Sequence, residues 1–349
     1  MRAINRRRFL GIVAGAACLP AANAPASEQA KPYTRANTDW LAKCRYGVGV
    51  HWTAQTVPRK GPPLPFQKAV DAFDVKRFVD GLVYAGADYL LFTSAHALQM
   101  LPAPHPVIDK ILPGRTCKRD LIAELADALA AKGMPLLVYY NHSCNQEDDP
   151  PWEQAVGYHG RDKNRLAQNL SEIVRWMGER YKDKIKAWWF DSPYSLDLRG
   201  PHNSVTTDMK GFQFPWERFT VAAKTGYPAR LVTYNAGVNQ TFLYTTRQDY
   251  WAGELVDLKH PPKNRYLPSG LQWFGWTCLE DRGWVHTKQD REIPPPLYRD
   301  GEIISFVRTC NRHQAPMTFN VGVYQDGTMA ERSVEQLHRV SLVLGRVTG

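Results

Sequence analysis

The sequence predicts an α/β fold, a TIM-type (β/α)8 barrel in a single domain, on three observations. From Arg45 onward, short β-rich apolar runs alternate with longer helical patterns, as βα units around a parallel sheet require. The first unit begins with a strand that no glycine-rich phosphate loop follows, which argues against a doubly wound open sheet. A helical pattern closes the chain, as it closes a barrel.

Taken in order, residues 46–52 (Tyr-Gly-Val-Gly-Val-His-Trp) read as the first strand. Residues 74–85 follow as a helix, with Val75, Phe78, Val79, Leu82 and Val83 on its apolar stripe. A strand at 89–93, a helix at 117–131 stopped by Gly133, and a strand at 135–140 come next. The pattern continues with a helix at 165–181, a strand at 185–190, a helix near 216–225 and a strand at 230–234. A less regular stretch runs to about residue 298, before a helix near 303–312, a strand at 317–321 and a closing helix at 334–344. Seven or eight βα units can be counted, the sixth and seventh falling in the irregular stretch. Proline-rich pieces at 61–65, 102–106 and 293–297 suit loops over the barrel mouth, and no solenoid repeat or low-complexity tract is present.

The first two dozen residues read as an export address. Asn5-Arg6-Arg7-Arg8-Phe9-Leu10-Gly11 precedes an apolar, Ala/Gly-rich run too short to span a bilayer, and Ala22-Asn23-Ala24 offers a cleavage site. The expected organisation is therefore a twin-arginine signal peptide at 1–24, an N-terminal extension at 25–40 and the catalytic barrel at 41–349. A periplasmic or secreted protein follows, with no stable membrane insertion after cleavage; Cys18 is a weak lipid-attachment site, since no Leu stands three residues before it.

The formal net charge of +10 falls to +6 once Arg2, Arg6, Arg7 and Arg8 leave with the signal. The basic residues form no run or stripe, which disfavours nucleic acid as a partner and leaves an acidic glycan or cell-envelope polymer. After processing, Cys44, Cys117, Cys144, Cys278 and Cys310 remain, an odd set without CxxC or metal-ligand spacing, and they read as mostly structural thiols. No HExxH, Cys/His cluster or Gly-x-Ser-x-Gly elbow is present, so neither a metal, nor a cofactor, nor a serine nucleophile is predicted.

Catalytic groups of a barrel sit where strands end at its C-terminal face. Those ends are His51-Trp52, Thr93-Ser94-Ala95-His96, Tyr139-Tyr140-Asn141-His142, Asp191 and Tyr234-Asn235. Aromatic and imidazole groups beside a carboxylate suit a sugar, whose ring face stacks on aromatics while its hydroxyls need donors and acceptors. Asp191 ends the hydrophobic run Lys186-Ala187-Trp188-Trp189-Phe190, and glycoside hydrolysis needs such a carboxylate with a second carboxyl close by. From position alone, a helix cap or a salt-bridged strand end explains Asp191 equally well.

These residues, in this order, resemble the alpha-L-fucosidase family of glycoside hydrolases. The likeness runs through residues 46–52, Phe73-Asp74, residues 85–96, Arg119-Asp120-Leu121-Ile122, Leu137-Val138-Tyr139-Tyr140, Trp189-Phe190-Asp191 and residues 318–328, spanning roughly 40–345. The resemblance implies a retaining exo-glycosidase cleaving a terminal fucose-like sugar by double displacement. It makes Asp191 the nucleophile and, through Asp249-Tyr250-Trp251-Ala252-Gly253-Glu254, makes Glu254 the acid/base, with Glu280 and Asp249 in reserve. It also implies substrate contacts from His51, Trp52, His96, Tyr139, Tyr140, Trp189 and Asn235. The chain departs from the family pattern at Ala95, where a second His is usual, at Asn235-Ala236-Gly237, where Asn-Asp-Arg-Trp is usual, and in having no predicted C-terminal β-sandwich. Two other readings therefore stand beside the first: a barrel that binds carbohydrate without cleaving it, and a glycosidase specific for another sugar.

Overall fold

A computed structural model describes residues 33–142, 149–201, 209–281 and 283–345. The expected signal peptide, Cys18 and Cys144 lie outside the described residues. Seven parallel strands carry the fold: β1 (Tyr46–Val50), β2 (Leu90–Ala95), β3 (Leu136–Asn141), β4 (Ile185–Asp191), β5 (Leu231–Tyr234), β6 (Gly275–Cys278) and β7 (Met317–Asn320). They order as β5-β4-β3-β2-β1-β7-β6 in one sheet. Among the described residues, ten α-helices connect or cover them: α1 (Asp39–Ala42), α2 (Phe66–Ala72), α3 (Val75–Tyr84), α4 (Pro106–Ile111), α5 (Leu121–Ala130), α6 (Pro150–Val156), α7 (Lys163–Tyr181), α8 (Trp216–Ala223), α9 (Asp300–Arg312) and α10 (Glu331–Leu344).

Local chemistry starts several of these helices. Asp74 caps α3 by accepting from the Arg77 amide at 3.0 Å, and Asp120 caps α5 through the Ala123 amide at 2.9 Å. Two proline-rich pieces expected as loops open helices instead. Pro65 immediately precedes α2 and Pro106 is the first residue of α4, where the missing amide hydrogen is no loss and the fixed φ suits a helix.

Strand periodicity divides the interior into two layers. Outward side chains such as Val48, Val50, Phe92, Val138, Trp188 and Phe319 join the helices in the larger core. Inward side chains, among them Tyr89, Leu91, Leu137, Tyr139, Ala187, Trp189 and Trp276, fill the space enclosed by the curled sheet. Gly49 belongs to the inward set of β1, and a Cβ there would stand 2.6 Å from Trp276 Nε1. The strand has to be bare at that position because the indole occupies the space.

The expected eighth strand is absent as a ladder element among the described residues. Residues 249–255 instead run extended between the two edge strands. On the β5 side the Asp249 amide donates to the Val232 carbonyl at 2.9 Å; on the β6 side the Leu255 amide donates to Trp276 at 2.8 Å and the Trp276 amide to Gly253 at 2.7 Å. Gly253 interrupts the extended backbone with φ +63°, and a Cβ there would meet the Phe274 carbonyl oxygen at 1.8 Å. Left-handed backbone cannot continue a ladder, so this segment pairs only through isolated bridges. No helix among the described residues is long and apolar enough to cross a membrane.

Candidate active site

Inward parity carried to the strand ends gathers one set of side chains at the carboxyl end of the sheet. These are His51 after β1, Asn141 ending β3, Asp191 ending β4, Asn235 after β5, Glu254 in the bridging segment and Asn320 ending β7. His96 joins them because a register shift in β2 between Thr93 and Ala95 resets the alternation, turning Ala95 outward and bringing the His96 ring within 5.2 Å of His51.

Asp191 is held by donors alone. The Tyr139 hydroxyl donates to Oδ2 at 2.6 Å, Asn235 Nδ2 to Oδ1 at 2.9 Å, and the Ser192 amide to Oδ1 at 2.8 Å, with Asn141 Nδ2 3.4 Å from Oδ2. None of these partners is a cation, and the short helical turn that follows takes no side-chain cap. Among the described residues, Asp191 thus makes neither a salt bridge nor a helix cap. The next residue, Ser192, sits in left-handed backbone at φ 60°, which costs a side-chain-bearing residue about 1–2 kcal/mol. His142 Nε2 donates to the Ser192 carbonyl at 2.9 Å and Asn141 Nδ2 to its hydroxyl at 2.9 Å, fixing the turn that presents the carboxylate.

Glu254 lies beside it. Asn235 Nδ2 donates to Glu254 Oε2 at 2.7 Å as well as to Asp191 at 2.9 Å, so the nearest oxygens of the two carboxyls are separated by no more than those two lengths together, about 5.6 Å. Burial pushes the Glu254 carboxyl up to about 7, the charge of Asp191 adds to that rise, and the hydrogen bond from Asn235 opposes it. The site thus holds one carboxyl that titrates near neutrality next to one surrounded by donors. That asymmetry suits acid and nucleophile roles.

The two reserve carboxyls are placed elsewhere. Asp249 pairs with Lys224 at 2.6 Å and accepts from the Ala36 and Val232 amides, which ties it to the start of β5. Glu280 accepts from the Gly322 amide at 3.1 Å and from the Ser333 hydroxyl, and so anchors α10.

An aromatic wall completes the site. The His51 ring lies 4.8 Å from Tyr139 and stacks at 5.0 Å on Trp276. Asn320 Nδ2 donates to the Trp284 carbonyl at 3.1 Å, which turns its oxygen toward His51 Nδ1 at 3.0 Å. Nδ1 therefore carries the hydrogen and Nε2 is left as an acceptor. Burial and the neighbouring His96 hold the His51 imidazole well below its ordinary range, so it is neutral.

Three expected substrate contacts need correction. Trp52 and Tyr140 occupy outward positions: Trp52 packs against Phe66, Phe73 and Phe92 and donates to the Gln325 carbonyl, and Tyr140 meets Phe190 in the outer core. Strand alternation makes it impossible for neighbours such as His51 and Trp52 both to face the site. Trp189 points inward but one layer down, where it stacks on Tyr139 at 5.1 Å and donates to the Ala252 carbonyl. The site also contains Asn141, Asn320, Trp276, Trp284 and Tyr194, beyond the contacts that the resemblance implies. Inward parity identifies Asn141 and Asn320, whereas Tyr194, on the turn after β4, follows no periodic signal. Among the described residues, no group of three or more His, Cys, Asp or Glu is placed to hold a metal ion.

Tyr139→Phe is expected to keep the ring stack on Trp189 and lose only the hydrogen bond to Asp191. A bond to a charged group contributes about 1.5–3 kcal/mol, so kcat/KM on an accepted aryl glycoside should fall roughly 10- to 100-fold with the fold intact. Unchanged kinetics would show that the phenol contributes nothing to the site.

A parallel α/β sheet with two carboxyls bridged at its carboxyl end and an aromatic wall beside them suits the two-carboxyl chemistry of glycoside hydrolases. The family model for alpha-L-fucosidase matches residues 65–346, and the chain belongs to that family. No curated protein sequence matches it. Among solved structures it is similar to alpha-L-fucosidase isoenzyme 1 from Paenibacillus thiaminolyticus, with 19% identity, a TM-score of 0.62, and coverage of 88% of this chain and 75% of the other. Alpha-L-fucosidase AlfC from Lactobacillus casei, in complex with alpha-L-fucose product, matches at 16% identity and TM-score 0.57, over 88% and 98% of the two chains. An endo-fucoidan hydrolase from glycoside hydrolase family 107 matches at 14% identity and TM-score 0.63, over 88% of this chain. The chain spans 54% of the length of that hydrolase, and at these identities the likeness concerns the fold.

Proposed function

We propose that this protein is a retaining exo-glycosidase that removes a terminal fucose-like sugar from a glycan by double displacement. The observation that carries this reading is the single amide nitrogen of Asn235 bound to both carboxyls, which keeps their nearest oxygens within about 5.6 Å. Retaining enzymes hold their carboxyls about 5–5.5 Å apart, and inverting enzymes, which must seat a water between them, about 6.5–9.5 Å. Asp191 attacks the anomeric carbon and forms a glycosyl ester while protonated Glu254 gives its proton to the leaving oxygen. The Glu254 carboxylate then takes a proton from water, and the resulting attack on the anomeric carbon releases the sugar and frees Asp191.

His51, with Nε2 free to accept, His96 and Tyr139 are the sugar contacts in this reading. Residues 249–255 serve as the eighth stave of the barrel, which is what places Glu254 opposite Asp191. Ala95 and Asn235-Ala236-Gly237 stand where the family pattern has further polar contacts, so the sugar differs from fucose at one hydroxyl or is held less selectively. The twin-arginine pattern at the N terminus supports action on a glycan outside the cytoplasm.

Incubating the purified protein with aryl α-L-fucosides, galactosides and arabinosides, and following the first-formed anomer by proton NMR, tests this reading. Release of the sugar with its anomeric configuration kept is expected. The inverted anomer would overturn the double displacement, and sugar binding without turnover of any glycoside would favour the non-catalytic alternative.

A further inference from the structure

We infer that Asn235 is the positioning residue that sets the distance between the two catalytic carboxyls and limits their mutual repulsion, rather than a contact to the sugar. The inference rests on the roles proposed for Asp191 and Glu254. Asn235 is buried and follows β5. Its amide orientation is fixed because Oδ1 accepts from the Gly237 amide at 3.0 Å, which commits Nδ2 to the opposite side. There its two hydrogens meet the two carboxyls, Asp191 Oδ1 at 2.9 Å and Glu254 Oε2 at 2.7 Å. An NH2 group has two donors, so this pairing leaves it none for a sugar hydroxyl.

Two carboxyls this close repel when both are ionised, and relieve the repulsion by separating or by retaining a proton. A shared donor counters both responses. It draws both groups inward, and by favouring the carboxylate form of Glu254 it keeps that group's titration from rising further above about 7. Glu254 can then lose its proton in the first step of the reaction and regain one in the second. The backbone supports the arrangement, since the Asn235 amide donates to the Phe190 carbonyl, next to Asp191, and the Asn239 amide donates to the Glu254 carbonyl.

The test compares Asn235→Ala and Asn235→Ser with Asp191→Gly on one accepted aryl glycoside, across pH. Asn235→Ala should lower kcat about 100-fold with KM changed less than about threefold, as loss of a preorganised donor does. It should also move the alkaline limb of kcat/KM upward by about one pH unit, because the bond that favours ionised Glu254 is gone. Asn235→Ser, which keeps one hydroxyl donor, should recover part of both effects, and it carries the same test if the alanine variant loses its folded circular-dichroism signal. A kcat within threefold of wild type with an unmoved limb would overturn the inference, and so would a KM effect without a kcat effect, the mark of a sugar contact. Full activity of Asp191→Gly would instead sink the carboxylate assignment itself, whichever way the Asn235 variants behave.

Discussion

Replacing Asp191 by glycine is expected to abolish turnover, with a loss of kcat of at least about 10⁴-fold, the scale on which enzymes lose a covalent nucleophile. Azide should restore part of the rate. The substitution empties the position where a carboxylate is met by the Tyr139 hydroxyl, the Asn235 amide and the Ser192 amide hydrogen. These donors remain and point at the vacated space, which makes it a site for a small anion. From there azide attacks the anomeric carbon on the face Asp191 used, its nitrogen bonds to carbon, and the aglycone leaves with the proton from Glu254. The product is a glycosyl azide of inverted configuration, identifiable by mass and by its anomeric coupling. An active variant, or an inactive but folded one that gives no glycosyl azide, would remove Asp191 from the nucleophile's position.

Much of this arrangement was legible because barrel chemistry follows strand ends. The alternating pattern gave every strand up to β5 to within a few residues, and an acidic residue closing Trp188-Trp189-Phe190 stood out against its own hydrophobic run. What was lost was the side of the strand. His51 and Trp52, or Tyr139 and Tyr140, are adjacent in sequence and face opposite layers, so only one member of each pair faces the enclosed side of the sheet. Counting inward positions along β3 from Leu137 through Tyr139 reaches Asn141 without structural information. The bulge in β2 is harder, because Thr93-Ser94-Ala95-His96 gives no sign that its alternation resets. Gly253 marks another limit: the φ of +63° that lets the chain pass the Phe274 carbonyl breaks residues 249–255 into isolated bridges, and no strand-like alternation marks them in the sequence. Asn235 shows a different limit. Its type and place were visible, but that one nitrogen serves two carboxyls depends on a contact between residues nineteen and forty-four positions away.

The same pairing makes Glu254 the residue whose removal should discriminate between substrates. Glu254→Gln preserves shape and cannot act as the acid, so kcat/KM should fall about 10³- to 10⁴-fold for glycosides with poor leaving groups and only slightly for a glycosyl fluoride or dinitrophenyl glycoside, which needs no proton. With those activated substrates the glycosyl ester on Asp191 forms quickly and waits for water that is no longer deprotonated, giving a burst followed by slow turnover. The pH dependence has a definite sign. As the proposed acid, Glu254 must be protonated in the first step, and its carboxyl titrates near 7, so wild-type kcat/KM is expected to drop tenfold per pH unit above that value. The variant should lack this limb. Stability follows the same group: because its folded pKa lies above its ordinary 4.5, the native state holds a proton the unfolded chain releases, and stability declines as pH rises from about 4.5 to about 7. Glu254→Gln removes that decline and should raise the unfolding temperature at pH 8 relative to wild type, on the order of 2–3 kcal/mol in unfolding free energy. An alkaline limb that persists unchanged in the variant, or an equal loss on activated and unactivated substrates, would assign the proton to another group.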